Sequence, residues 1–469
     1  MDNSKFKRNL AVALLSQVVA FGVSALSSLI VPRFIGVAQY GYLQLFLFYS
    51  TYSGFFHLGL NDGVYLINGG RTMEELPKKS INSQFYVGLV FQAVLSSLLF
   101  LYACFGEIDT NRGIVIAQTS IMIVVQNAAL YVGYIFQAIN ETKWFSISLL
   151  IAKGVFGISI LLLIVFRVRI FYYYTTSFIM STALSLIYCL AKGMPILKSG
   201  VLPLRASVHD TISSISVGFK LLIANLASMI ILGFARWLID VVWGIETFGQ
   251  FSLSLQLVTF VSTFLSQIAM VLFPSLRSVG SGEQERLYVK IKSILDMFLP
   301  VVFVGYFPLF WLASCWLPSY AQGLSILYLL LPLCVFDGKM VICSTTYFKV
   351  LRKENVLLLL NVISALISLV FAFIAFKIFT TPASVMVAAV IAILLRSVMS
   401  EIYMSRYYQR SFGLSSILLI MLSVVFLYIV SVFNMATAFV ITTVLYVSYV
   451  VLILFVKGGG SCTNNKTNV

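Results

Sequence analysis

The sequence predicts an all-α polytopic membrane protein with about fourteen transmembrane helices, and three observations lead there. Of 469 residues, 60% are hydrophobic and only 10% are charged, whereas a soluble domain carries roughly 25% charge because its surface must face water. The apolar residues gather in runs long enough, at about twenty residues, to cross a hydrocarbon core about 30 Å thick as helices. The cations fall mostly in the short stretches between those runs.

Residues 10–31 form the first run, 22 residues without a charge, which reach about 33 Å as a helix. Lys5, Lys7 and Arg8 precede it as in a signal peptide. The run is too long for one and lacks a small-residue cleavage site, so it reads as an uncleaved, inserting helix. Further spans follow near 43–67, 82–104, 113–137, 145–166, 170–191, 217–239, 249–273 and 294–316, then 322–348, 355–379, 383–404, 414–433 and 436–456. The six cysteines have neither C-x-x-C spacing nor a secreted disulfide pattern, so they read as small hydrophobes. The two histidines are too few and too far apart for a metal site.

With the N-terminus in the cytoplasm, twenty-two of the thirty-one cations lie on that side, six lie opposite, and Lys153, Lys339 and Arg396 lie inside spans. The positive-inside rule therefore places both termini in the cytoplasm. It also accounts for the net charge of +15 without nucleic acid. The longest cytoplasmic connection, 192–216, is too short for a folded domain. Chemistry must then happen within the membrane.

The stretch "GVAQYGYLQL" from Gly36 recurs as "GIETFGQFSL" from Gly244, 208 residues later, with the pattern G-x-x-x-[YF]-G. That offset spans six predicted helices, so both copies enter the membrane in the same sense, as parallel repeats do. The domains expected are two six-helix bundles, 1–209 and 210–413, two additional helices over 414–456, and a disordered cytoplasmic tail, 457–469. In this scheme Pro32 makes the turn between the first two helices, with Gly36 and Gly41 supplying tight backbone geometry. The aromatic groups "FYYY" at 171–174 and "SRYYQR" at 405–410 flank span ends and read as interfacial anchors.

"VPRFIGVAQYGYLQL", "LGLNDGVYLINGG" at 58–70, "IETFGQFSLSLQL" and "LFPSL" at 272–276 resemble the polysaccharide (O-antigen type) flippases of the multidrug/oligosaccharidyl-lipid/polysaccharide exporter superfamily. The resemblance implies two six-helix bundles arranged as a V around a cavity that opens to each side of the membrane in turn. It implies a bacterial cytoplasmic-membrane protein and an undecaprenyl-diphosphate-linked oligosaccharide as cargo. The implied partners are membrane lipids and the polysaccharide polymerase and chain-length machinery, with no nucleic acid.

A diphosphate gives the buried cations a purpose, since Arg grips its oxygens bidentately and Lys attracts them as a point charge. Lys153, Lys339 and Arg396 each lie about eight or nine residues from the cytoplasmic end of their span, or roughly 12 to 14 Å deep. The competing reading pairs them with local acids, Lys339 with Asp337 and Arg396 with Glu401, or lets them snorkel. Arg33 and Arg236 end the first helix of each repeat and are further cavity cations, although Asp240 lies one turn beyond Arg236. For coupling to a proton or sodium ion, the acids in or near spans are Asp62, Asp296 and Asp337, with His57 before Asp62 as a second titratable group.

Three other classes compete with a flippase. A cation-coupled drug exporter of the same superfamily would favour acids over cations in its cavity. A membrane polymerase or ligase would need a sizeable external loop, and no G-x-S-x-G, H-E-x-x-H or P-loop pattern occurs. A scaffold would need no polar residues at mid-depth.

Overall fold

The structure is a computed structural model that describes the backbone of residues 3–106, 108–409 and 413–463. Among these residues every regular element is helical. Helix α1 (Asn3–Ala25) passes through a π-helical turn at Leu26–Ile30 into α2 (Val31–Ile35), and α3 is Val37–Ser53. The break between them is at Gly36, whose φ of 78° and ψ of 171° lie in a region essentially reserved for glycine. Pro32, expected to make this turn, instead sits just after the π-helical turn, inside the helical run that ends at Gly36. Gly41 is an ordinary, buried helical residue of α3.

The expected second span is broken midway. After α3 come a 3-10 turn at Gly54–His57 and two left-handed residues, Leu58 (φ 53°) and Gly59 (φ 92°), before α4 (Leu60–Asn68). The next four spans hold as continuous helices: α5 (Lys78–Phe105), α6 (Thr110–Ala138), α7 (Thr142–Val165) and α8 (Phe171–Leu197).

Helix α9 (Leu204–Ser278) covers two expected spans and is interrupted only at Gly244, with φ 82° and ψ 177°. It starts well before the predicted 217, so the supposed long loop 192–216 shrinks to a connector around 198–203. Then follow α10 (Ser281–Phe298), α11 (Val301–Trp316), a 3-10 turn at Pro318–Tyr320, α12 (Ala321–Leu324) and α13 (Leu327–Lys339). A π-helical segment, Met340–Thr345, leads into α14 (Thr346–Val350). Last come α15 (Glu354–Phe379), α16 (Pro382–Tyr407), α17 (Leu414–Val432) and α18 (Met435–Thr463). Helix α18 thus runs past 456, where the disordered tail was expected to begin, and residues 464–469 of that tail lie outside the described residues.

Among the described residues twelve helical segments are long and apolar enough to cross a bilayer, against the fourteen expected. The difference has two sources: the broken stretch from α3 to α4 contains no long helix, and α9 merges two spans. Large apolar side chains point outward, among them Phe105 (83% exposed), Val165 (73%) and Phe455 (76%). A lipid-facing surface tolerates this because hydrocarbon is as apolar as the side chains themselves.

By packing, the chain divides into two compact units, Met1–Leu226 and Ala227–Val469, with the boundary inside α9 rather than at 209/210. The first unit has a core of Leu60, Val64, Phe85, Tyr131, Ile135 and Phe136, where α4, α5 and α6 meet. Phe171 and Tyr174 are fully buried in this unit, so half of the "FYYY" group is core rather than interfacial anchor. In the second unit Phe303 of α11 stacks on Phe426 of α17 with ring centroids 4.6 Å apart, so α17 is packed into that unit.

Candidate functional site

The second unit buries a connected set of charges. Lys339, the last residue of α13, places Nζ 2.6 Å from Asp296 of α10 and 2.7 Å from Glu401 of α16. It also donates to the Ser416 hydroxyl of α17 at 3.0 Å. Lys292 of α10 reaches Glu401 at 2.6 Å from the other side. Ser416 in turn donates to Glu401, and Ser415 donates to Asp296 at 2.7 Å. Tyr449 of α18 closes the cluster by donating to the main-chain oxygen of Asp296 at 2.8 Å. Two ammonium groups therefore face two carboxylates, and the cluster is neutral as a set.

Arg396 of α16 forms a second, partly buried pair, with Asp337 at 2.5 Å, and donates to Ser228 at 2.8 Å. The partners are thus exchanged relative to the local pairing suggested by sequence: Asp337 serves Arg396, and Glu401 serves Lys339. Helical geometry explains the exchange. Asp337 precedes Lys339 by two residues, a spacing that puts them on different faces of α13. Lys339 is 3% exposed and Arg396 5%, so an anion can reach either only if these pairs open. Asp296 and Asp337, expected as ion-coupling acids, are the counter-ions that hold these cations.

Sequence reasoning missed Lys292, which it assigned to a cytoplasmic connection, and the serines of α17. The spacing of Lys292 and Asp296, one turn apart, was a readable sign that α10 carries a charged face. Ser415 and Ser416 gave no sign, because serine is common in transmembrane helices.

In the first unit Lys153 of α7 lies 5.5 Å from the ring centroid of Phe178 on α8, a cation–π contact. Among the described residues no carboxylate pairs with it, which sets it apart from the other two intramembrane cations. His57 and Asp62 flank the break between α3 and α4, both 8% exposed, with Nε2 3.8 Å from Oδ2. The His57 Nδ1 accepts the Gly59 N–H at 2.9 Å. That bond requires a lone pair on Nδ1 and so places the imidazole proton on Nε2, facing Asp62.

Arg33 is exposed at the end of α2. Arg236 of α9 donates to Ser252 at 3.3 Å and lies 5.3 Å from the Phe248 ring centroid. Of the five proposed cations, Lys153 and Arg33 belong to the first unit, and Lys339, Arg396 and Arg236 to the second.

The family model described as "Polysaccharide biosynthesis protein" matches residues 6–279. No curated protein matches the sequence. Among solved structures, the lipid II flippase MurJ in an inward closed conformation is similar at a TM-score of 0.64 and 13% identity, over 96% of this chain and 98% of that one. An inward-facing multidrug resistance MATE family transporter of the MOP superfamily is similar at 0.62 and 13%, over 86% and 98%. A MOP superfamily transporter from Pyrococcus furiosus is similar at 0.54 and 13%, over 86% and 96%. The chain shares the fold of these proteins.

Proposed function

Because the chain belongs to the polysaccharide biosynthesis protein family, whose model matches residues 6–279, we propose that it flips undecaprenyl-diphosphate-linked oligosaccharide units across the bacterial cytoplasmic membrane. It acts as a transporter rather than an enzyme, by alternating access, with both termini in the cytoplasm and the polymerase and chain-length machinery taking up its product.

The observation that carries this reading is the family match combined with a fold shared with a lipid II flippase. Drug exporters share the fold too, but the family match favours polysaccharide synthesis. The half-buried ammonium of Lys153 also suits an anionic head group, because among the described residues no carboxylate is paired with it. Lys153 is the leading contact for the diphosphate, with Arg33 and Arg236 as secondary contacts and Lys339 and Arg396 reached only if their pairs open. Energy coupling belongs to Asp62 and His57, since the other two acids already neutralise cations.

The test is complementation. Cells lacking their own flippase receive this chain, and surface polymer is measured against lipid-linked units retained on the inner leaflet. Restored polymer with falling retained units supports the reading. Unchanged polymer together with new resistance to cationic drugs would replace it with the exporter.

A further inference from the structure

Four small residues bring α4 and the beginning of α9 into backbone contact inside the first unit. Gly59 and Gly63 are one turn apart on one segment, and Ser214 and Gly218 are one turn apart on the other. A methyl group built on Gly63 would overlap the Ser214 carbonyl oxygen, and one on Gly218 would overlap the Gly59 carbonyl oxygen. At Gly59 it would come within 2.8 Å of the Phe219 nitrogen. This is a small-x-x-x-small crossing on both partners, the arrangement that lets two membrane helices touch main chain to main chain.

Gly59 is also the residue whose N–H is accepted by His57 Nδ1. Its φ of 92° holds the left-handed joint that aims α4 at α9. A second proton on the imidazole must go to Nδ1, where it turns the acceptor into a donor and expels the Gly59 N–H. We propose that the crossing of Gly59 and Gly63 with Ser214 and Gly218 is a clasp that opens during transport, and that a proton bound at His57 releases it. The inference deepens the coupling role given above to His57 and Asp62.

His57 and Asp62 are the two titratable side chains that face each other at this break. Asp62 stands 3.8 Å from Nε2 and supplies the counter-charge for an imidazolium. Tyr134 of α6 lies near Asp62 and packs its ring against Tyr65 of α4. From Ser80 to Phe105 α5 brings no charged residue, α3 brings none, and α6 carries only Arg112, at its far end. Helix α9 brings none from Thr211 to Phe219, after which Lys220 is exposed.

The experiment places spin labels on the full chain at Leu66→Cys and Ile212→Cys, exposed positions that flank the crossing. Cys104 and Cys315, the exposed natural cysteines, and Cys462 are replaced by Ser. Distances are measured by electron double resonance in lipid nanodiscs without substrate, so the result does not depend on what the protein carries. A short distance is expected at about pH 8, with a longer population growing roughly fivefold to tenfold toward about pH 4, the effect of losing one buried hydrogen bond. His57→Asn keeps an acceptor near the Nδ1 position but cannot gain the charge, so it should hold the short distance at both pH values. Gly63→Ala should give the long distance at both. A single distance unchanged by pH, or a pH response surviving in folded His57→Asn protein, overturns the proposal.

Discussion

Gly36 and Gly244, 208 residues apart in sequence, adopt the same backbone conformation: φ 78° and ψ 171° at one, φ 82° and ψ 177° at the other. Four residues on, Tyr40 and Phe248 are both buried, at 0% and 1% exposure. The repeated G-x-x-x-[YF]-G therefore encodes one piece of geometry twice: a glycine-only bend followed by an aromatic that anchors the next helix. Nothing lies within 4 Å of a methyl built on either glycine, so the requirement is conformational and not one of space.

Gly36→Ala and Gly244→Ala should each destabilise their unit by about 1–3 kcal/mol, the cost of forcing a side chain into that region. Gly154→Ala is the control, since its surroundings are equally open and its backbone is helical. It should be neutral or stabilise by up to about 1 kcal/mol. Thermal unfolding in detergent, followed by size-exclusion fluorescence, measures all three. Equal behaviour of the three would remove the conformational argument.

Lys339→Met leaves Asp296 and Glu401 with one ammonium between them and should destabilise the second unit by about 3–5 kcal/mol. Adding Asp296→Asn should recover part of that loss, because the uncompensated charge goes with it. A double-mutant cycle on the same unfolding readout should give a coupling energy on the order of 1 kcal/mol or more. Strict additivity would mean that the two groups do not interact.

Ser416 both accepts from Lys339 and donates to Glu401, so Ser416→Ala orphans a group on each side. A loss of about 1–3 kcal/mol is expected, against less than about 1 kcal/mol for Ser431→Ala on the exposed end of α17. Ending the chain at residue 413 should be worse than either change, as it uncovers the whole cluster. Full stability of the shortened chain would show that the last two helices are peripheral to it.

Lys153→Ala removes an unpaired cation, so folding should change by about 1 kcal/mol or less, the worth of its cation–π contact. Flipping should nevertheless fall at least tenfold if Lys153 attracts the diphosphate, a loss of about 1.4 kcal/mol of substrate interaction. Surface polymer and retained lipid-linked units in complemented cells, normalised to protein abundance, separate the two effects. Normal flipping would remove Lys153 from the pathway.

Much of this was readable beforehand because composition and length alone decide that a chain spans a membrane, and because Gly36 and Gly244 repeat a local requirement. Proline is a familiar helix terminator, yet Pro32 follows a π-helical turn within a continuing helix, and the chain bends only at Gly36. The break at His57–Gly59 was invisible to a hydropathy count, which registers "GFFHLGLNDGVY" as one apolar stretch. The charged residues were found, but their partners were not. Pairing in the second unit joins α10, α13, α16 and α17 across more than a hundred residues of sequence, and only tertiary packing decides it.

The neutral cluster around Lys339 also bears on biosynthesis. Lys292 and Asp296 leave the ribosome first, then Lys339, then Glu401, and only afterwards the serines of α17. Until the later members arrive, charged groups on earlier helices would have to wait in lipid at a cost of a few kcal/mol each. Helix release into the bilayer is therefore expected to be delayed until the set is complete, with α10 and α13 kept beside the insertion machinery. Nascent chains stalled shortly after residue 400 should crosslink to that machinery through α13, and chains stalled beyond residue 460 should not.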